Sequence, residues 1–171
     1  LALINARNRY SITPPWVLSN YPFVEKAMYL LRNNPCLTGC DYCNKNLNVH
    51  LALKKHFGFD TYRNFAGEPL QEKAVKAAVD GKSILTVFPT GGGKSITFQI
   101  PALMAGEAAK ALTVVISPLQ SLMKDQVDNL EKIGITDAVT INGLLDPIER
   151  AKSFERVADG SASILYISPE S

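Results

Sequence analysis

The segment Phe88-Pro89-Thr90-Gly91-Gly92-Gly93-Lys94-Ser95 carries the clearest chemistry in this chain. Three consecutive glycines let a backbone wind through conformations barred to other residues, so that successive N–H groups can point at phosphate oxygens. Lys94 adds an ammonium able to reach outer phosphates, and Ser95 a hydroxyl of the type that ligates Mg²⁺. Thr90 and the three glycines would line such a cradle. The strict pattern, a glycine followed after four residues by Gly-Lys-Ser/Thr, is not met, because Phe88 holds the first glycine's place. A flexible turn with a solvated lysine and serine is the bland alternative. The flanking pattern argues against it: a β-branched run leads in and a helical pattern leads out, the context such a loop requires.

A second group is Cys36-Leu-Thr-Gly-Cys40-Asp-Tyr-Cys43, three thiols within eight residues. A Zn²⁺ site of Cys36, Cys40, Cys43 and one imidazole, His50 nearer and His56 farther, would suit tetrahedral zinc and would stabilise a short segment. The C-x3-C-x2-C spacing is also similar to the radical S-adenosylmethionine signature, which holds an iron–sulfur cluster. That motif follows the first strand of a large barrel, for which this chain has no room. Three unligated cysteines are the remaining alternative. An odd count, confined to residues 36 to 43, argues against a disulfide framework and for a reducing compartment.

The elements that must position these groups can be read from periodicity. Thr13-Pro14-Pro15-Trp16 predicts an extended connector, and a helix follows from Asn20 to Asn33. Leu47 to Phe57 predicts a second helix ending at Gly58. From residue 68, helix and strand patterns alternate, which predicts a parallel sheet with crossover helices. Helices are expected at Gln71 to Asp80, from Lys94 to about Ala105, at Leu119 to Ile133, and from Asp146-Pro147 to Gly160. Buried strands are expected at Ile84 to Phe88, Leu112 to Ile116, Ala138 to Ile141 and Ile164 to Ile167.

Composition narrows the function classes. In 171 residues, 46% are hydrophobic and 20% charged, an ordinary globular mix. Eighteen basic against sixteen acidic residues leave a formal charge of +2, so net charge by itself does not indicate nucleic acid. No apolar run approaches the roughly 18 residues a membrane helix needs, and the start lacks a secretory pattern. The missing initiator Met suggests a piece of a longer protein.

Several blocks together carry a family resemblance. Pro89-Thr-Gly-Gly-Gly-Lys-Ser95 with Phe98-Gln99-Ile100-Pro101-Ala102-Leu103 resembles motif I of the RecQ family of superfamily 2 DNA helicases, whose loop also lacks the first glycine. Val115 to Val127 is similar to the family's motif Ia, and Leu165-Tyr-Ile-Ser-Pro-Glu170 to the block preceding its Walker B motif. Upstream, Phe57-Gly58-Phe59, Tyr62-Arg63 and Gln71 resemble its adenine-reading motif, with the stretch Asn64 to Leu70 a few residues longer.

The resemblance implies an α/β fold: a partial RecA-like P-loop domain over residues 57–171, preceded by a small helical cysteine-containing module over 1–56. It implies ATP and Mg²⁺ as cofactors and DNA, single-stranded and at duplex junctions, as partner. Phe59 and Arg63 would stack on adenine and Gln71 would read its edge; an exposed Gln71 at a helix start and a core Phe59 are the alternatives. Ser117 and Lys124 would touch the DNA backbone, with Lys124 equally readable as a solvated helix lysine. The whole protein would couple ATP hydrolysis to single-strand translocation and duplex unwinding, with DNA repair and recombination as its setting and a cytoplasmic or nucleoid location. A Walker B run is expected beyond Ser171, so residues 1–171 alone are expected to hydrolyse almost no ATP. A non-catalytic nucleotide- and metal-binding nucleic-acid interaction module is the alternative from another class.

Overall fold

A computed structural model describes residues 20–24, 26, 40–143 and 145–169. The expected connector around Pro14, most of the first expected helix, and Cys36 lie outside the described residues. The chain divides into two compact units, one holding the described residues up to Met104 and one running from Ala105 onward.

The first unit is helical. Helices α1 (Asp41–Asn46), α2 (Val49–Phe57) and α3 (Leu70–Val79) precede the glycine loop, and α4 (Ile96–Ala109) follows it, continuing into the second unit. Asn48 caps α2 by accepting from the N–H groups of His50 and Leu51, satisfying two donors that a helix start leaves open, and Gly58 ends it. One apolar core joins Val49, Ala52 and Leu53 of α2 to Tyr62, Val75, Ile100 and Met104. Helix α2, assigned by the sequence reading to the amino-terminal module, is therefore packed with α3 and α4.

The second unit is a parallel sheet of β1 (Thr113–Ile116), β2 (Ala138–Ile141) and β3 (Ile164–Ile167) in the order β1-β3-β2, with α5 (Gln120–Lys132) and α6 (Pro147–Ala158) as crossovers. Val139 pairs with Leu165 and Ile141 with Ile167. Side chains alternate along a strand, so these four share a face, and Val157 of α6 packs on the cluster that includes them. Asp146 caps α6 by accepting from the N–H groups of Ile148 and Glu149 at 2.8 Å each, with Pro147 at the first helical position. Gly106 of α4 lies so close to Ser163 that a Cβ there would stand 2.0 Å from its Oγ. No other residue type allows that approach.

Two strand expectations are corrected. Ile84 to Phe88 makes no strand pairing among the described residues, and Leu85 and Val87 are 93% and 83% exposed. A strand exists only through its neighbours, and β-branched composition supplies no partner. The run at 112–116 is not a fully buried strand either: β1 lies at the edge of the three strands and leaves Val114 and Ile116 exposed. These two share the face of Leu165 and Ile167. The apolar cluster on which Val157 of α6 packs is built from β2, β3 and Ala162, and Val114 and Ile116 are not part of it.

Candidate functional site, a clasped phosphate loop

In the first unit, the glycine loop sits between the extended segment ending at Phe88 and the start of α4. Gly91 and Gly93 have φ of +74° and +70°, a region other residues enter only under strain. The Gly92 N–H donates to Pro89 O at 3.0 Å, closing a turn. The N–H groups of Gly93, Lys94 and Ser95 meet no acceptor among the described residues. They stand at the beginning of a 14-residue helix, whose aligned peptide dipoles concentrate positive potential there.

The segment from 63 to 71 reaches this loop with several side chains. The Arg63 Nη1 donates to Gly91 O at 2.7 Å, and the Gln71 Nε2 donates to Gly93 O at 2.9 Å. The Gln71 Oε1 in turn accepts from the Arg63 N–H at 2.8 Å. Gln71 is buried, not exposed as one sequence alternative had it, and its carboxamide bridges two backbone segments. A carboxamide has a second lone pair and a second N–H, so these bonds use half its capacity. A Cβ at position 93 would come within 2.6 Å of Gln71 Nε2, which makes glycine there a requirement of the clasp. Phe59 is 53% exposed, not a core aromatic, and presents its ring to solvent.

The Lys94 ammonium donates to Phe88 O at 3.0 Å and Pro89 O at 3.4 Å, folding back over the loop. Thr97 Oγ1 and N–H both bond Lys94 O, which fixes the loop–helix junction. A polyphosphate fits this donor set: main-chain N–H groups at a helix start, a mobile-stemmed ammonium resting on weak neutral acceptors, and the half-exposed Ser95.

Ser117 and Lys124 belong to the second unit. Ser117 follows β1, donates its N–H to Ile167 O at 3.0 Å, and its Oγ accepts from the Leu119 N–H at 3.4 Å. It thus stands at the carboxyl edge of the sheet, where ligands of open α/β folds bind. Lys124 is exposed on α5, whose buried face is Met123, Val127 and Leu130.

The expected metal ligands are only partly brought together. Cys40 Sγ and Cys43 Sγ are 3.6 Å apart across the start of α1, too far for a disulfide. The His50 imidazole turns instead to Glu72, Nε2 to Oε1 at 2.9 Å, and stands edge-on to Tyr62. Lys76 and His50 beside Glu72 hold its carboxyl below the usual range. Burial raises the Tyr62 hydroxyl, which donates to Val49 O at 2.7 Å. Among the described residues, no group of three or more His, Cys, Asp or Glu is arranged to hold a metal.

One residue at this site escaped the sequence reading. Phe65 stacks on Phe88, with ring centroids 4.8 Å apart and planes 13° apart. The available signal was Ala66-Gly67, a tight-turn pair set between Phe65 and Glu68.

A parallel α/β sheet in one unit, and in the other a glycine loop that runs into a helix, are the parts that define the class of P-loop nucleotide-binding proteins. Comparison with known proteins agrees and is more specific. The model of the DEAD/DEAH box helicase family matches residues 68–171, more than half of the chain. The chain belongs to that family. It is 41% identical over 119 residues to the ATP-dependent DNA helicase RecQ of Haemophilus influenzae, covering 70% of this chain and 18% of that protein. To RecQ of Bacillus subtilis it is 40% identical over 119 residues, covering 69% and 18%. To ATP-dependent DNA helicase Q5 of Rattus norvegicus it is 37% identical over 130 residues, covering 74% and 12%. The likeness to RecQ-type helicases stands, and the chain spans less than a fifth of the length of these relatives. Among the described residues, no helix is long and apolar enough to cross a membrane.

Proposed function

We propose that this chain supplies nucleotide-binding motifs to an ATP-dependent DNA helicase of the RecQ type, coupling ATP hydrolysis to single-strand translocation and duplex unwinding. The relatives' names support ATP and DNA as cofactor and substrate, and ATP brings Mg²⁺ with it. The observation that carries the reading is the clasp itself. The residues matched to adenine recognition, Arg63 and Gln71, hydrogen-bond the backbone of the loop matched to phosphate recognition, at Gly91 O and Gly93 O. Base and phosphates would thus be sensed by one connected device.

In this reading Thr90, Gly91, Gly92 and Gly93 line the phosphates. Lys94 neutralises the outer ones, and Ser95 is a Mg²⁺ ligand. Phe59 and Arg63 flank the adenine, and Gln71 offers its remaining donor and acceptor to the base edge. Ser117 and Lys124 contact the phosphates of a single DNA strand, Lys124 by charge alone. Substituting Lys94→Ala in the full-length protein is expected to reduce DNA-stimulated ATP hydrolysis by at least about a hundredfold, the scale of losing a preorganised electrostatic contact. DNA affinity, measured by anisotropy, should be retained. Unchanged hydrolysis would refute the assignment and favour the non-catalytic binding module.

Zinc at the cysteine segment is a further part of this proposal. The 3.6 Å between the Cys40 and Cys43 sulfurs supports it, since two thiolates bonded at about 2.3 Å to one tetrahedral ion lie roughly 3.8 Å apart. Elemental analysis of the purified protein should find one zinc per chain. Its absence, or a brown iron–sulfur chromophore, overturns that part alone. Action in DNA repair and recombination, in a cytoplasmic or nucleoid location, completes the reading; cellular imaging with loss of the gene tests it.

A further inference from the structure

Each of the three loop glycines is met by a different residue of the segment just upstream. Arg63 bonds Gly91 O, and Gln71 bonds Gly93 O. At the middle glycine, a Cβ built on Gly92 would stand 2.8 Å from Pro89 O, 3.2 Å from Phe88 Cβ and 3.4 Å from Phe65 Cε1, so the ring edge borders the space beside that glycine. The same ring stacks on Phe88, the buried residue that leads into the loop.

Phe65 is presented by its own small device. Its N–H donates to Glu68 O at 2.8 Å, and the Glu68 N–H returns to Phe65 O at 2.9 Å. Ala66 and Gly67 between them have φ of +50° and +82°, positive at both central positions as a two-residue turn of the I′ kind requires. Glu68 pairs with Lys73 of α3, which ties the turn to the helix carrying Gln71. Three successive glycines form the least ordered backbone available, so fixing them costs more conformational entropy than fixing any other residues. The middle glycine closes a turn through its N–H to Pro89 O at 3.0 Å, and Phe65 stands beside that turn, stacked on Phe88.

We propose that Phe65 is a positioning residue of the nucleotide site: its ring, stacked on Phe88 and packed on Gly92, preorganises the phosphate loop before nucleotide arrives. It acts through the loop and touches no reacting atom. This inference rests on the nucleotide-binding reading above.

The test uses the full-length protein and two readouts. In nucleotide-free protein, hydrogen exchange of the Gly92 amide, which is bonded to Pro89 O, should accelerate several-fold in Phe65→Ala and return to the wild-type rate in Phe65→Tyr. In DNA-stimulated ATP hydrolysis, the KM for ATP should rise roughly tenfold in Phe65→Ala, as when the competent loop falls to about a tenth of the population. The kcat should stay within about twofold, because saturating nucleotide restores the loop. Should Phe65→Ala fail to fold, Phe65→Leu, which keeps apolar volume without a stacking ring, carries the same test. Unchanged exchange and KM, or a fall in kcat with KM unaltered, would overturn the proposal. If the wild type gives no heat with Mg²⁺–ATP in calorimetry, the nucleotide reading fails. If it binds while Phe65 variants behave as wild type, only the brace is wrong.

Discussion

Two glycines of the loop share a backbone conformation and differ in surroundings, which separates strain from crowding. Gly91 and Gly93 both have φ near +70°, where an L-residue costs roughly 1–2 kcal/mol. A Cβ at 91 meets nothing within 4 Å, whereas at 93 it meets Gln71 Nε2 at 2.6 Å. Gly91→Ala should therefore show only the strain. Gly93→Ala must also push Gln71 away, removing its hydrogen bonds to the Arg63 N–H and to Gly93 O, at about 1 kcal/mol each. Calorimetry with Mg²⁺–ATP on the full-length protein should show Gly93→Ala weaker than Gly91→Ala by at least about tenfold, the equivalent of 1.4 kcal/mol. Equal affinities would mean that Gln71 yields without loss. None of this is visible in a run of three identical letters. The sequence marks the loop, and the neighbour 22 residues upstream decides which glycine is indispensable.

At the scale of elements, legibility followed how local the cause is. The start of α6 at Asp146-Pro147 and the end of α2 at Gly58 were readable because capping involves residues two or three apart. Strands β2 and β3 agree with their sequence boundaries, since both are largely buried and both find pairing partners in the sheet. Ile84 to Phe88 has the same composition and makes no ladder, because pairing is a property of two segments. The placement of α2 was also hidden. Its cysteine-rich prelude suggested a separate module, yet Leu53 is 1% exposed in one core with Val75 and Ile100. Leu53→Ala should cost about 2–5 kcal/mol, read by urea denaturation, because the cavity opens between packed helices. A loss below about 1 kcal/mol would mean that α2 docks loosely and that the division near residue 56 holds energetically.

For the whole chain, the amino-acid sequence alone determined the order and kind of the chemical parts. These were a glycine-rich loop ending in Lys-Ser, an upstream aromatic–arginine–glutamine group, and alternating helices and strands of a family that the comparisons then bore out. These are encoded within a few residues of each other, where turn sterics, capping and periodicity act. Tertiary structure decided what lies outside that range. It buried Gln71 as a bridge, set Phe65 on Phe88 and Gly92, turned His50 toward Glu72, and left β1 with one face exposed. Each of these depends on which distant segment packs against a given surface. That is settled by the packing of all the apolar faces together, which no local stretch of residues specifies.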